Sequence, residues 1–159
     1  MRGTRPLLSA LYVILGLVSV SAHAATMQIV DLEDVDFGQV QTTATKLEQR
    51  LRFCVVSDPA GPYQISAYGS GPGGAFVLSV PGLATTIGFD AFISKQRGRP
   101  GDPLVPGVPV TGLSAKPRLR NGRCHPPYVN LLIDINENDL SAAPGGRYAA
   151  ILQITVAPE

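Results

Sequence analysis

Reactive side chains are scarce in this sequence. Its 159 residues include no tryptophan, two cysteines and two histidines. His23 lies in an N-terminal stretch that reads as a leader, which leaves His125, flanked by Pro126, as the only other imidazole. No Ser or Cys therefore has a visible His and carboxylate to activate it, and no catalytic residue is assigned. Cys54, Cys124 and His125 are too few to close a zinc site, so neither metal nor cofactor is expected. Asp31, Glu33, Asp34 and Asp36 resemble paired carboxylates, but strand alternation splits them across two faces. Asn136-Glu137-Asn138-Asp139 falls short of a calcium loop. Gly69-x-Gly71-x-Gly73-Gly74 lacks the following helix that a phosphate cradle needs. The chain reads as a non-enzyme.

A basic excess is missing too. There are 13 Lys and Arg against 12 Asp and Glu; without Arg2 and Arg5 the balance is 11 to 12. Nucleic-acid binders carry a clear positive surplus, so that class is set aside. The charges are nevertheless segregated. Acidic residues gather at Asp31–Asp36, and Lys95, Arg97, Arg99, Lys116, Arg118, Arg120 and Arg123 gather in a Pro- and Gly-rich stretch spanning 95–127. Two solvated surfaces account for this, with a patch for a partner as the sharper alternative. No internal repeat of fixed period is visible.

The first 24 residues have the three parts of a signal peptide. Arg2 and Arg5 precede an apolar run from Leu7 to Val20, and Ala22-His23-Ala24 is a small-residue cleavage site. The run is short for a membrane span, and no Cys follows the cleavage site to carry a lipid. Residues 25–159 are expected to form one exported domain, in the periplasm, at the cell surface or outside the cell. In an oxidising compartment an even cysteine count favours a disulfide, here Cys54–Cys124. Closing so long a loop contributes roughly 4 kcal/mol on the chain-entropy model.

Beyond the leader, hydrophobic periodicity is of period two. Met27 to Phe37 reads as a strand that changes face or bulges. Leu47, Leu51, Phe53 and Val55 alternate with charged residues, and parity turns Cys54 away from their face. Tyr63–Ala67, Phe76–Val80, Ile87–Ile93 and Val129–Ile135 alternate likewise. Seven prolines within 95–127 leave room there only for a short edge strand at 104–110. Tyr148, Ala150, Leu152, Ile154 and Val156 form one face of a last strand, and the residues after it supply no further neighbour. Short strands separated by Gly and Pro describe an all-β sandwich.

The order of local signatures resembles the spore coat protein U domain and archaic chaperone–usher pilus subunits. Val35-Asp36-Phe37-Gly38 is similar to the motif that closes their first strand. Phe53-Cys54 followed by Pro62-Tyr63-Gln64-Ile65 resembles their next strand pair. Ile87-Gly88-Phe89-Asp90-Ala91-Phe92 stands where they have a further aromatic strand. Gly146-Arg147-Tyr148 and Ile151-Leu152-Gln153-Ile154-Thr155-Val156 resemble their terminal strand. The resemblance implies an immunoglobulin-like, pilin-like sandwich that lacks its last strand. It also implies three kinds of partner: a periplasmic chaperone, an usher and neighbouring pilus subunits. Tyr148, Ala150, Leu152, Ile154 and Val156 become the expected contact for a chaperone or donor strand. If about four apolar side chains of the missing strand cover the core, roughly 6–12 kcal/mol is absent without it. That equals the stability of a typical domain, about 5–15 kcal/mol. The sequence departs from the family at two points. No Cys precedes Phe37-Gly38, so Cys124 stands as the substitute partner of Cys54. Ala25 to Val35 leaves little room for a donor extension, which fits a subunit that accepts a strand without donating one. The alternative is a self-contained secreted or periplasmic binding domain, completed by its own 27–37 strand, that never polymerises.

Overall fold

Alternating burial along three strands builds the core. In a computed structural model, residues 26–38, 46–82, 84–96, 101–117, 119, 121, 123–126 and 128–159 are described. The leader lies outside them, as do Arg97, Arg99, Arg118 and Arg120 of the basic stretch. The strands are β1 (Thr26–Val30), β2 (Lys46–Asp58), β3 (Pro62–Gly69), β4 (Val77–Ser79) and β5 (Thr86–Gly88). They continue as β6 (Asp90–Ser94), β7 (Asp102–Pro103), β8 (Val110–Ser114), β9 (Val129–Asn136) and β10 (Leu152–Pro158). A single-turn helix, α1 (Glu137–Ser141), precedes β10. β2, β3 and β9 contribute Phe53, Val55, Tyr63, Ile65, Ala67, Val129, Leu131, Ile133 and Ile135 to one buried cluster.

Two antiparallel sheets enclose this core, a five-stranded one in the order β1-β2-β9-β6-β7 and a three-stranded one in the order β10-β3-β8. β4 and β5 form a separate ribbon. β2 is long enough to serve two partners. Its first half pairs with β9, from Lys46↔Asn136 to Phe53↔Val129, and its second half pairs with β1, from Cys54↔Val30 to Asp58↔Thr26. The run Ile87–Ile93 is divided at Phe89, whose N–H donates to the Phe76 carbonyl at 3.0 Å. β5 on one side pairs with β4 and β6 on the other with β9, so the chain passes between sheets there. The two phenyl rings stack at the corner with centroids 5.6 Å apart.

Three elements differ from the sequence reading. The first strand stops at Val30, because Asp31 takes a left-handed conformation (φ 61°). Leu32–Gly38 continues without a backbone hydrogen bond to either sheet among the described residues, although Val35 and Phe37 pack half-buried against the core. The expected strand at 104–110 is instead buried Leu104 followed by a tight turn bridging Val105 and Val108. The strand that does form there, β8, begins at Val110 and pairs with β3. Finally, α1 is capped at its N-terminus: Asn136 Oδ1 accepts the Asp139 N–H at 3.0 Å, and Asn136 Nδ2 donates to Asp139 Oδ2 at 2.6 Å, joining the two side chains. Five residues are too few to show helical periodicity, so the Asn-x-x-Asp spacing is its only sequence signal.

Tyr63 is the largest of the fully buried side chains. Burial raises its phenol from the ordinary 10.0 to about 12, since a phenolate would lose its hydration. The folded state therefore holds this proton more tightly than the unfolded chain. The resulting stability is complete below pH 10 and is lost as pH rises from 10 towards 12. Denaturant midpoints measured across that interval should fall in the wild-type protein. They should fall distinctly less in Tyr63→Phe.

Candidate functional site

The candidate site is the exposed edge of β10. β10 pairs with β3 in a regular antiparallel register from Leu152↔Gly69 to Pro158↔Tyr63. Leu152, Ile154 and Val156 stand opposite Gly69, Ala67 and Ile65, which puts them on the core face. Gln153, Thr155 and Ala157 stand opposite Tyr68, Ser66 and Gln64 on the outer face. Burial differs sharply across this register. Ile65 and Ala67 are 0% exposed, whereas Leu152, Ile154 and Val156 are only half-buried. All five face the same core. The difference arises because β3 is flanked by β8 and β10, while β10 ends the sheet.

Hydrogen-bond parity fixes what that edge presents. The Glu159 N–H donates to the Pro62 carbonyl at 3.3 Å. In an antiparallel ladder, alternate residues bond the same neighbour. The N–H groups of Gln153, Thr155 and Ala157 therefore point to β3, and those of Leu152, Ile154 and Val156 point outward. No backbone partner meets those outward groups among the described residues. β1 lies alongside, within 8 Å of β10 between Cα atoms, but belongs to the other sheet. Its Met27 and Ile29 are half-buried too, as are Val35 and Phe37. A half-exposed apolar seam thus lies where β10 and β1 meet, beside a β10 backbone edge that has no partner among the described residues.

The expected site residues divide into two groups. Leu152, Ile154 and Val156 share β10. Tyr148 and Ala150 precede it. Ala149 is bonded to Ser79 of β4 in both directions, at 2.9 and 3.0 Å, which holds this part of the chain against the ribbon. Tyr148 is half-buried and its hydroxyl donates to the Pro144 carbonyl at 2.9 Å, while Ala150 is exposed. Sequence alternation did not reveal this break, because alanine is small enough for either face.

Cys54 and Cys124 form a disulfide spanning 70 residues, with Cα atoms 5.9 Å apart. Cys54 lies between the core-facing Phe53 and Val55 and points to the outer face, where the Cys124 segment buries it. The Cys124 N–H donates to Asp31 Oδ2 at 3.3 Å, and Cys124 Sγ packs 3.4 Å from the Val30 carbonyl oxygen. The Tyr128 hydroxyl donates to the Cys124 carbonyl, and the Arg52 guanidinium lies 5.3 Å from the Tyr128 ring centroid. A little further along β2, Lys116 bonds Ser57 and Val55 at 2.8 and 3.0 Å. These contacts fasten the Pro-rich stretch to the junction of β1 and β2. Converting both cysteines to serine should lower unfolding free energy by roughly 4 kcal/mol at neutral pH, measured by denaturant titration.

The charged groups of the sheet face do not converge on a reactive centre. Lys46 bridges Asp134 at 3.0 Å and Glu48 at 3.2 Å, and Glu48 meets Arg50 at 2.7 Å. The hydrogen bond to Asp134, then that to Glu48, raises the Lys46 ammonium above its ordinary range; the bond from Arg50 leads in lowering Glu48. Exposed pairs of this kind contribute little to stability. Among the described residues no helix is long and apolar enough to cross a membrane.

No protein-family model and no curated protein matches the chain. Among solved structures it is similar to a chain of a chaperone–tip adhesin complex, one described as vital for synergistic activation of CFA/I fimbriae biogenesis. The two are 13% identical with a TM-score of 0.60, and the match covers 84% of this chain and 41% of that one. This chain thus spans less than half the length of its structural neighbour. The likeness establishes the fold, an all-β immunoglobulin-like sandwich.

The edge geometry makes a direct prediction for amide hydrogen exchange. In the monomer, at concentrations well below those at which copies pair, the amides of Gln153, Thr155 and Ala157 should be protected by the β3 ladder. Those of Leu152, Ile154 and Val156 should exchange at least about tenfold faster. Equal protection of both sets would show that the edge is occupied.

Proposed function

We propose that this chain is an exported, non-enzymatic structural or adhesive protein of the chaperone–usher pilus type, close in kind to the spore coat protein U domain. It accepts a β-strand along β10. The observation that carries this reading is the combination on one strand of outward-facing backbone groups and core-facing side chains left half-exposed. An added strand answers both conditions. Its main chain pairs with Leu152, Ile154 and Val156, and its alternate side chains cover the seam towards Met27 and Ile29. A periplasmic chaperone would supply that strand first, and a neighbouring subunit would replace it after delivery to the usher. Support comes from the structural neighbour's place in a chaperone–tip adhesin complex, from the order of the sequence signatures, and from the leader together with the disulfide.

A self-contained binding domain is the second reading, and Val35 and Phe37 favour it, since they already cover part of the core. The two readings differ in what a chaperone does. Co-expression of the chain, leader included, with a donor-strand periplasmic chaperone should yield a one-to-one complex. In it the amides of Leu152, Ile154 and Val156 become as protected as those of Gln153 and Thr155. If the chaperone neither co-purifies nor protects those three amides, the pilus reading is wrong and the self-contained domain stands.

A further inference from the structure

We infer that the β10 edge is self-complementary, and that two copies of this chain pair through it as an antiparallel dimer when no donor strand is present. The inference stands on the edge geometry alone and not on the pilus reading. Outward N–H and C=O groups recur at Leu152, Ile154 and Val156, so a two-fold axis through Ile154 brings like to like. Ile154 then exchanges hydrogen bonds with Ile154 of the partner subunit, and Leu152 does so with Val156 of the partner subunit. Sliding the register by two residues either way forfeits a bonded pair. In one direction it also brings in Pro158, which has no N–H to give.

The side chains fit the same axis. Leu152, Ile154 and Val156 are half-buried within one copy, and in the dimer they meet their counterparts on the core face. On the outer face Gln153 falls opposite Thr155 of the partner subunit, a pair able to hydrogen-bond. Ile151, 71% exposed and the most exposed large apolar residue described, falls opposite Ala157 of the partner subunit. No charged residue occurs between Ala149 and Pro158, so nothing on the edge repels a copy of itself. The joined sheets run β8-β3-β10 and then through the partner in reverse, which closes the assembly at two copies.

A single strand pair buries less than the roughly 1,200 Å² typical of stable complexes, so the dimer should be weak and concentration-dependent. Sedimentation equilibrium of the oxidised mature protein should fit a monomer–dimer equilibrium with a dissociation constant on the order of micromolar. Gln153→Lys with Thr155→Lys places like charges directly opposite at both outer-face pairs, and Gln153→Glu with Thr155→Glu does the same with the opposite sign. Each double variant should weaken its own dimer at least about tenfold, while an equimolar mixture of the two restores a dimer near wild-type strength. That rescue separates lost pairing from lost folding. A strictly monomeric wild type up to about millimolar concentration overturns the inference. So does an open ladder of oligomers, or failure of the mixture to associate. A dimer that forms although no chaperone binds would remove the pilus reading and leave this one intact.

Discussion

A backbone edge that faces outward while its side chains face the core imposes two requirements on one strand. Peptide groups must find partners or water, and apolar side chains must leave water. An interior strand meets both through its two neighbours. Among the described residues β10 meets them on the β3 side alone, and Leu152, Ile154 and Val156 are left half-exposed. Solvating the peptide groups means holding water beside three apolar side chains. Excluding that water means supplying another strand. The state of this protein follows from how that conflict is resolved.

Apart from β3, the strand beside β10 among the described residues is β1, and its ladder is with β2. β2 pairs with β9 along its first half and with β1 along its second. The disulfide holds Cys124 on its outer face, and Asp31 anchors the same segment through the Cys124 N–H. β1 is thereby fixed to the five-stranded sheet and does not cross over to pair with β10. Leu32–Gly38 leaves this anchored corner with Val35 and Phe37 lying on the core, yet it forms no ladder. It shields the seam without satisfying the edge.

Much of this was legible in the residues. Period-two alternation located β2, β3 and β9, because most of their core-facing positions are large and apolar. Parity also placed Cys54 on the outer face correctly, since its neighbours Phe53 and Val55 are unambiguous. The reading failed where side-chain size stops informing orientation. Tyr148 and Ala150 share parity with Leu152, but hydrogen bonding of Ala149 to Ser79 removes them from β10. The Ile87–Ile93 alternation continues unbroken through a change of sheet, because Phe89 keeps its inward direction while its backbone partners change. The end of β1 at Asp31 rests on a single backbone dihedral, which hydrophobic pattern does not encode. Edge status was the least legible property. It depends on strand order, and a central strand with the sequence of β10 would alternate in the same way.

The outer strands β7, β1 and β8 show how this fold protects an exposed edge. β7 is two residues long and ends in Pro103. β1 has five residues and is cut off by the left-handed Asp31. β8 carries a register irregularity opposite Tyr63 and Ile65 and a glycine at φ 70°, both of which disturb a regular ladder. Shortness, proline and bulges are the devices that keep sheet edges from recruiting other chains. β10 is seven residues long, uncharged and regular in register, and its one proline stands at the far end. β10 carries none of these devices before Pro158. The β10 edge thus sets few of these obstacles in the way of the added strand proposed above.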